Sequence, residues 1–217
     1  MLSFADELGL DMFLRTYPSM AIRPSPEASI RLKGKFRFTA FHESCGQLTD
    51  EFELEIVVSR RFPAELPVVT ETAQRIPRRG EFHVNPDGSL CLGSHLRLLI
   101  KVSQNRTLSA FVESCLVPYL YAISHKLKNG GPLPFGELAH AGPGLIQDYA
   151  ELFGLSTSEQ VKSALILLAY KRRIANKMSC PCGCKRRLGR CKFGRRLHRF
   201  RRFASRSWYK RELDQLS

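Results

Sequence analysis

Between Ile30 and Val58 the chain alternates. Ile30, Leu32, Gly34, Phe36 and Phe38 are interleaved with Arg31, Lys33, Lys35 and Arg37. Further on, Phe52, Leu54, Ile56 and Val58 are interleaved with Glu51, Glu53 and Glu55. A period of two is that of a half-buried strand. The first strand has a basic outer face and the second an acidic one, with a loop around Glu43–Thr49 between them. Paired as an antiparallel hairpin, they set opposite charges across the ladder, each pair contributing roughly a few tenths of a kcal/mol. Two solvated faces of unlike sign would read the same, but the matched lengths favour pairing.

The flanking segments follow other periods. Phe4, Leu8, Met12 and Phe13 fall at helical spacing, which predicts a short helix over 3–15. Pro18, Pro24 and Pro26 mark an irregular connection, and Leu66–Glu71 reads as a third strand bounded by Pro63 and Pro67. Residues 73–82 are a polar, basic connection. Leu108, Phe111, Val112, Cys115, Leu116, Tyr119, Leu120 and Ile123 make an apolar helical stripe that Pro118 kinks or divides. Asn129-Gly130-Gly131-Pro132 ends it, and residues 133–143 read as a loop holding Glu137 and His140. Leu145–Phe153 predicts a helix closed by Gly154. Ser156-Thr157-Ser158-Glu159 reads as a capping box for the next helix, whose buried face is Val161, Ala164, Leu165, Leu168 and Ala169. A short helix, then a run of strands, then a run of helices make the class α+β.

Composition changes this picture at one end only. Of 217 residues 43% are hydrophobic and 25% charged, as in an ordinary globular protein, and the net charge is +14. Seventeen of the 34 Lys/Arg but two of the 20 Asp/Glu lie from Lys171 onward, so the remainder is nearly neutral. That step predicts a main domain over 1–175 and an arginine-rich tail over 176–217. The N-terminal stretch carries Asp6 and Glu7 where a secretory signal has bases, and no apolar run approaches the roughly 18 residues of a membrane span. The expectation is a cytoplasmic protein in a reducing compartment, without a membrane partner.

Four of the seven cysteines, Cys180, Cys182, Cys184 and Cys191, crowd into the tail. In a reducing compartment such a cluster is better read as a metal site than as disulfides. Zn²⁺ takes four N/S ligands in a tetrahedron, and cysteines two apart around a Pro-containing turn can face one ion. Unligated, they would be oxidisable thiols. Cys180-Pro181-Cys182-Gly183, a basic run and Cys191 resemble the SEC-C zinc motif, with Cys184 at its serine and Lys192 at its fourth ligand position. The fourth ligand is therefore Cys184 or His198, and Cys184 is favoured because it shares the turn. A structural Zn²⁺ is expected. Beyond it, arginines interleave with Leu197, Phe200, Phe203 and Trp208. That pattern suits phosphate contacts with stacking, or equally a basic helix packing its apolar side on the main domain or a partner.

The stretch with most chemistry is His83 to His95, which holds an Asn85-Pro86-Asp87-Gly88 turn and Cys91. A cysteine leaving a tight turn is either a buried structural thiol or a nucleophile. His83-Val84-Asn85, a short turn, and Gly88-Ser89-Leu90-Cys91-Leu92 resemble the signature of the ubiquitin-conjugating enzymes, particularly their bacterial branch. Phe62-Pro63 and Leu66-Pro67-Val68 resemble that family's stretch before the active-site loop. The resemblance implies an α+β fold with an N-terminal helix, an antiparallel meander, an active-site loop and C-terminal helices. It implies that Cys91 takes a ubiquitin-like modifier from an activating enzyme as a thioester and passes it to an amine, in a bacterial pathway such as antiphage defence. Asn85 would stabilise the oxyanion or brace the loop, and the ring of His83 would organise the turn by hydrogen bonds. His95 has no fixed counterpart; it would help deprotonate the thiol or the amine, or stand solvated. Two other classes stay open. One is a non-enzymatic adaptor that binds a protein through the main domain and nucleic acid through the tail. The other is a cysteine hydrolase using Cys91 and His95, which lacks an evident third residue.

Overall fold

A computed structural model describes residues 3–25, 29–134, 141–214 and 216. Glu137 and His140 lie outside the described residues. The chain forms two compact units, Met1–Glu137 and Leu138–Ser217, so the charge step at Lys171 lies inside the second.

The first unit opens with α1 (Phe4–Leu8) and α2 (Leu10–Thr16). The single helix expected over 3–15 is broken at Gly9, whose left-handed backbone ends α1 and starts α2. A four-stranded antiparallel meander follows in the order β1 (Met20–Arg23), β2 (Ser29–His42), β3 (Gly46–Ser59), β4 (Val68–Glu71). The expected third strand therefore starts at Val68, not Leu66. β1 corrects the expectation of an irregular connection between Pro18 and Pro24.

The central hairpin runs from Ser29↔Ser59 to His42↔Gly46, longer at the turn end than the sequence suggests. Lys33 faces Glu55, Lys35 faces Glu53 and Arg37 faces Glu51. The ion pairs that form are diagonal, Arg31–Glu55 at 3.8 Å and Lys35–Glu51 at 3.6 Å. On an exposed face each contributes at most a few tenths of a kcal/mol, roughly. The opposite face carries the weight. Leu32, Phe36, Leu54, Ile56 and Val58 are fully buried and join Phe13, Val102, Phe111, Leu116 and Ile123 in one core.

Helices complete the unit: α3 (His95–Val102), α4 (Leu108–Phe111) and α5 (Val117–Asn129). A π turn over Val112–Leu116 joins α4 to α5, and Pro118 sits in the first turn of α5. The backbone stays helical through that turn, where Val117 N–H donates to the Val112 carbonyl five residues back, so the proline follows a widened turn of a continuing helix. Pro118 therefore divides the apolar stripe rather than ending it.

The second unit is helical: α6 (Ala141–Phe153), α7 (Ser158–Ala169), α8 (Arg172–Ala175), α9 (Lys192–Arg199) and α10 (Arg206–Asp214). α6 starts four residues earlier than Leu145. The capping box of α7 pairs Thr157 with Gln160, not Ser156 with Glu159. Tyr149, Phe153, Leu165, Leu168 and Tyr209 are buried at its centre. The Tyr149 hydroxyl donates to the buried Glu212 carboxylate. Two arginines cap helix C-termini, where carbonyls lack partners and the dipole is negative. Arg201 donates to the carbonyls of Leu167, Leu168 and Tyr170, at 2.7 to 3.1 Å. Arg196 donates to the carbonyls of Phe153 at 2.6 Å and Gly154 at 3.3 Å. No helix among the described residues is long and apolar enough to cross a membrane.

Candidate functional site

In the first unit, Cys91 leaves a tight hairpin that lies along β4. Asn85 N–H donates to the Ser89 carbonyl and Gly88 N–H to the Asn85 carbonyl, at 2.8 and 2.9 Å. Gly88 has φ 85°, a left-handed backbone that suits glycine. The arms close with Val84 opposite Leu90, and Cys91 N–H donates to the His83 carbonyl at 2.8 Å. Leu90 N–H donates to the Val69 carbonyl at 2.8 Å, so the second arm extends the sheet beyond β4. Leu90 turns inward and is buried, while Cys91 is half-buried.

The side chains of the turn stabilise it. Asn85 Nδ2 donates to Ser89 Oγ at 3.0 Å, and Ser89 Oγ donates to Asp87 Oδ1 at 2.6 Å. Ser89 Oγ and then its N–H hold the Asp87 carboxyl below the usual carboxylate range. Asn85 is exposed, and one of its two Nδ2 protons is committed to the turn. His83 sits at the end of a 3₁₀ turn (Gly80–Phe82) with φ 51° and contributes the carbonyl that receives Cys91 N–H. His95 is exposed at the first residue of α3. Among the described residues no hydrogen bond joins the Cys91 thiol to Asn85 or His95.

Three residues that the sequence reading passed over hold this loop. Tyr119 of α5, read only as part of an apolar stripe, donates its hydroxyl to the Phe82 carbonyl at 2.8 Å. Burial first, then the electrostatic influence of nearby Cys91 and Glu71, pushes its phenol far above the usual range, so it remains a donor. Lys126 of α5 donates to the Glu81 carbonyl at 2.9 Å and lies 5.2 Å from the centre of the Phe82 ring. The buried Glu71 carboxylate accepts the N–H groups of Ala73 and Ile76, at 2.8 and 3.2 Å. Cys115 is buried, and burial raises its thiol; Cys45 is half-buried.

In the second unit a small hairpin presents three of the tail cysteines. Leu188 N–H donates to the Met178 carbonyl and Cys180 N–H to the Arg186 carbonyl, both at 2.9 Å. Cys180, Cys182 and Cys184 lie between those anchors. Cys191 caps the N-terminus of α9 and brings the fourth sulfur. Gly194 permits the approach, because a Cβ there would lie 2.3 Å from the Leu188 carbonyl oxygen. The four sulfurs all lie within 4.8 Å of one another, with Cys180–Cys182 at 3.2 Å, Cys182–Cys191 at 3.7 Å and Cys184–Cys191 at 3.6 Å. A tetrahedral ion with bonds of about 2.3 Å sets sulfurs about 3.8 Å apart. The cluster can therefore hold a metal ion, and its dimensions are compatible with zinc. Burial raises the Cys180 and Cys182 thiols, whereas the Arg186 N–H leads in lowering Cys184 to about 6.

His198 is committed elsewhere. Its Nδ1 accepts from Arg201 Nε at 3.0 Å, which leaves the ring proton on Nε2 to donate to Asn176 Oδ1 at 2.7 Å. Burial, then the charges of Arg201 and Arg172, lowers its pKa to about 4. Of the two candidates for the fourth ligand, only Cys184 stands in the sulfur cluster.

No protein-family model matches this chain, and no curated protein or solved structure matches it.

Proposed function

We propose that this chain is an acyl carrier of the ubiquitin-conjugating type, with Cys91 as its carrier thiol. The observation that carries the reading is the setting of Cys91. A half-buried thiol leaves an Asn-Pro-Asp-Gly hairpin that is pinned to a meander sheet on one side and to α5 on the other. Helix, meander, cysteine loop and helices follow in the order the resemblance implies.

The chemistry runs in two balanced steps. An activating enzyme presents a ubiquitin-like modifier as a C-terminal thioester. The Cys91 sulfur attacks that carbonyl; a new S–C bond forms, the donor's S–C bond breaks, and the donor leaves as a thiolate that takes up a proton. An amine, usually a lysine, then attacks the Cys91 thioester. The N–C bond forms, the Cys91 S–C bond breaks, and the amine proton passes to solvent or a base. Asn85 braces the loop by donating one Nδ2 proton to Ser89, and its second Nδ2 proton serves the oxyanion. His83 braces the turn through its carbonyl. His95, exposed at the start of α3, is open to receive the amine proton.

A structural Zn²⁺ on Cys180, Cys182, Cys184 and Cys191 belongs to the same reading; when bound it supplies a cross-link that fixes the hairpin against α9. The setting is a bacterial conjugation pathway such as antiphage defence, in the cytoplasm. The test is incubation with the activating enzyme, the modifier and ATP. A reductant-sensitive adduct is expected. Absence of an adduct with every modifier encoded beside the protein contradicts the function.

A further inference from the structure

We infer that the second unit carries a surface for the phosphate backbone of duplex nucleic acid, read without regard to sequence, on the outward basic residues of the cysteine hairpin and α9. The inference stands apart from the thioester chemistry of the first unit.

Charge comes first. From Lys171 to the end there are seventeen Lys/Arg, and sixteen are exposed. Of the two acids, Glu212 is buried under the Tyr149 hydroxyl, which leaves Asp214 as the one exposed acidic side chain among the described residues of that stretch. The five ion pairs between described residues, Arg31–Glu55 through Arg79–Glu81, all belong to the first unit. Among the described residues, no ion pair neutralises the cations from Lys171 onward.

Geometry then divides the arginines. Arg196 and Arg201 spend their guanidinium groups on helix-terminal carbonyls and belong to the fold. Lys192, Arg195 and Arg199 line the exposed side of α9 at helical spacing, a span of about 10 Å at 1.5 Å per residue. Arg186, Arg187 and Arg190 are exposed on and after the cysteine hairpin, directly ahead of that helix. A rigid, cross-linkable hairpin and a short helix thus present one array of cations.

The apolar residues between these cations face inward, and that selects the partner. Phe193 and Leu197 are buried, 8% and 1% exposed, so α9 has no free apolar side to lay into a bilayer. Phe200 meets Phe153 edge to face at 4.9 Å and Phe203 at 6.2 Å, and Tyr209 is fully buried. Trp208 meets Tyr209 edge to face at 5.1 Å; base stacking requires open aromatic faces, and these rings are half-buried or buried against one another. Among the described residues of the unit the exposed large apolar ones are Tyr170 and Ile174, just before and in α8, so the hairpin and α9 themselves carry none of the apolar anchors of a protein interface. What remains is cation against phosphate, which is salt-steep and indifferent to sequence.

The test uses the zinc-loaded full chain and labelled probes: two DNA duplexes of unrelated sequence, an RNA duplex and anionic phospholipid vesicles, titrated from about 50 to 200 mM salt. Both DNA duplexes are expected to bind within about twofold of each other, with log affinity falling linearly in log salt. The quadruple variant Arg186→Ala, Arg190→Ala, Arg195→Ala, Arg199→Ala should lower that slope by about 3 to 4 and retain its zinc. Arg196→Ala should lower the thermal midpoint and leave the slope unchanged. Binding of either duplex type with that loss supports the surface, and the arm that binds more tightly identifies DNA or RNA as the source of the phosphates. No binding at the lowest salt, an unchanged slope in a quadruple variant of normal zinc content, or vesicles bound more tightly than both duplexes overturns it.

Discussion

The Tyr119 hydroxyl donates to the Phe82 carbonyl across 2.8 Å, and this buried bond, with that of Lys126 to the Glu81 carbonyl, joins α5 to the turn that leads into Cys91. Phe82 precedes His83, and the His83 carbonyl receives Cys91 N–H. The position of the thiol thus rests on a helix far along the chain as well as on its own hairpin.

Tyr119→Phe removes that donor and leaves a buried carbonyl unpaired. The expected cost is about 1–2 kcal/mol. It should appear as a lower denaturant midpoint and faster hydrogen exchange at the His83 and Cys91 amides. An unchanged exchange rate at both amides would show that the hairpin holds itself.

Removal of any one cluster cysteine should abolish stoichiometric metal binding. Cys184→Ser should drop bound zinc from about one ion per chain towards zero by elemental analysis, because three ligands leave a structural site open. His198→Gln should keep its zinc. The opposite pair of outcomes would make His198 the fourth ligand.

Asp50 sets an acid limit on the first unit. Burial alone would raise its carboxyl, but bidentate hydrogen bonds from Arg75, both 2.8 Å, hold it at about 2 against an ordinary 3.8. A carboxylate whose folded pKa is depressed contributes stability that is present above the unfolded value and lost as pH falls through the folded one. The contribution should therefore be intact above pH ~4 and vanish towards pH ~2. After allowance for the partly exposed Arg75 it amounts to about 1–2 kcal/mol. Asp50→Asn should lower stability at neutral pH by that amount and flatten the acid limb of a stability-against-pH curve.

The sequence makes some of this legible because a single periodicity decides it. The β2–β3 ladder follows from alternation and charge, since slipping by one residue would turn Phe36 and Ile56 outward. β1 is not legible, because only Met20 of its four residues is buried. The α7 cap falls one residue late because Ser156–Glu159 and Thr157–Gln160 satisfy the same pattern, and only the path of the chain chooses. The cysteine cluster is legible from spacing alone, whereas its fourth ligand needed the hydrogen bonds of His198. In the tail, Arg196 and Arg201 look like their outward neighbours, and only the open carbonyls of α6 and α7 distinguish them. Tyr119 and Glu71 give no signal, for their partners are backbone groups distant in sequence or hidden in a turn.

The most direct measurement is the mass and chemistry of the adduct formed with activating enzyme, modifier and ATP. The account predicts a thioester on wild type that reductant cleaves, a reductant-resistant ester on Cys91→Ser, and no adduct on Cys91→Ala. A reductant-sensitive adduct that persists in Cys91→Ala would contradict it.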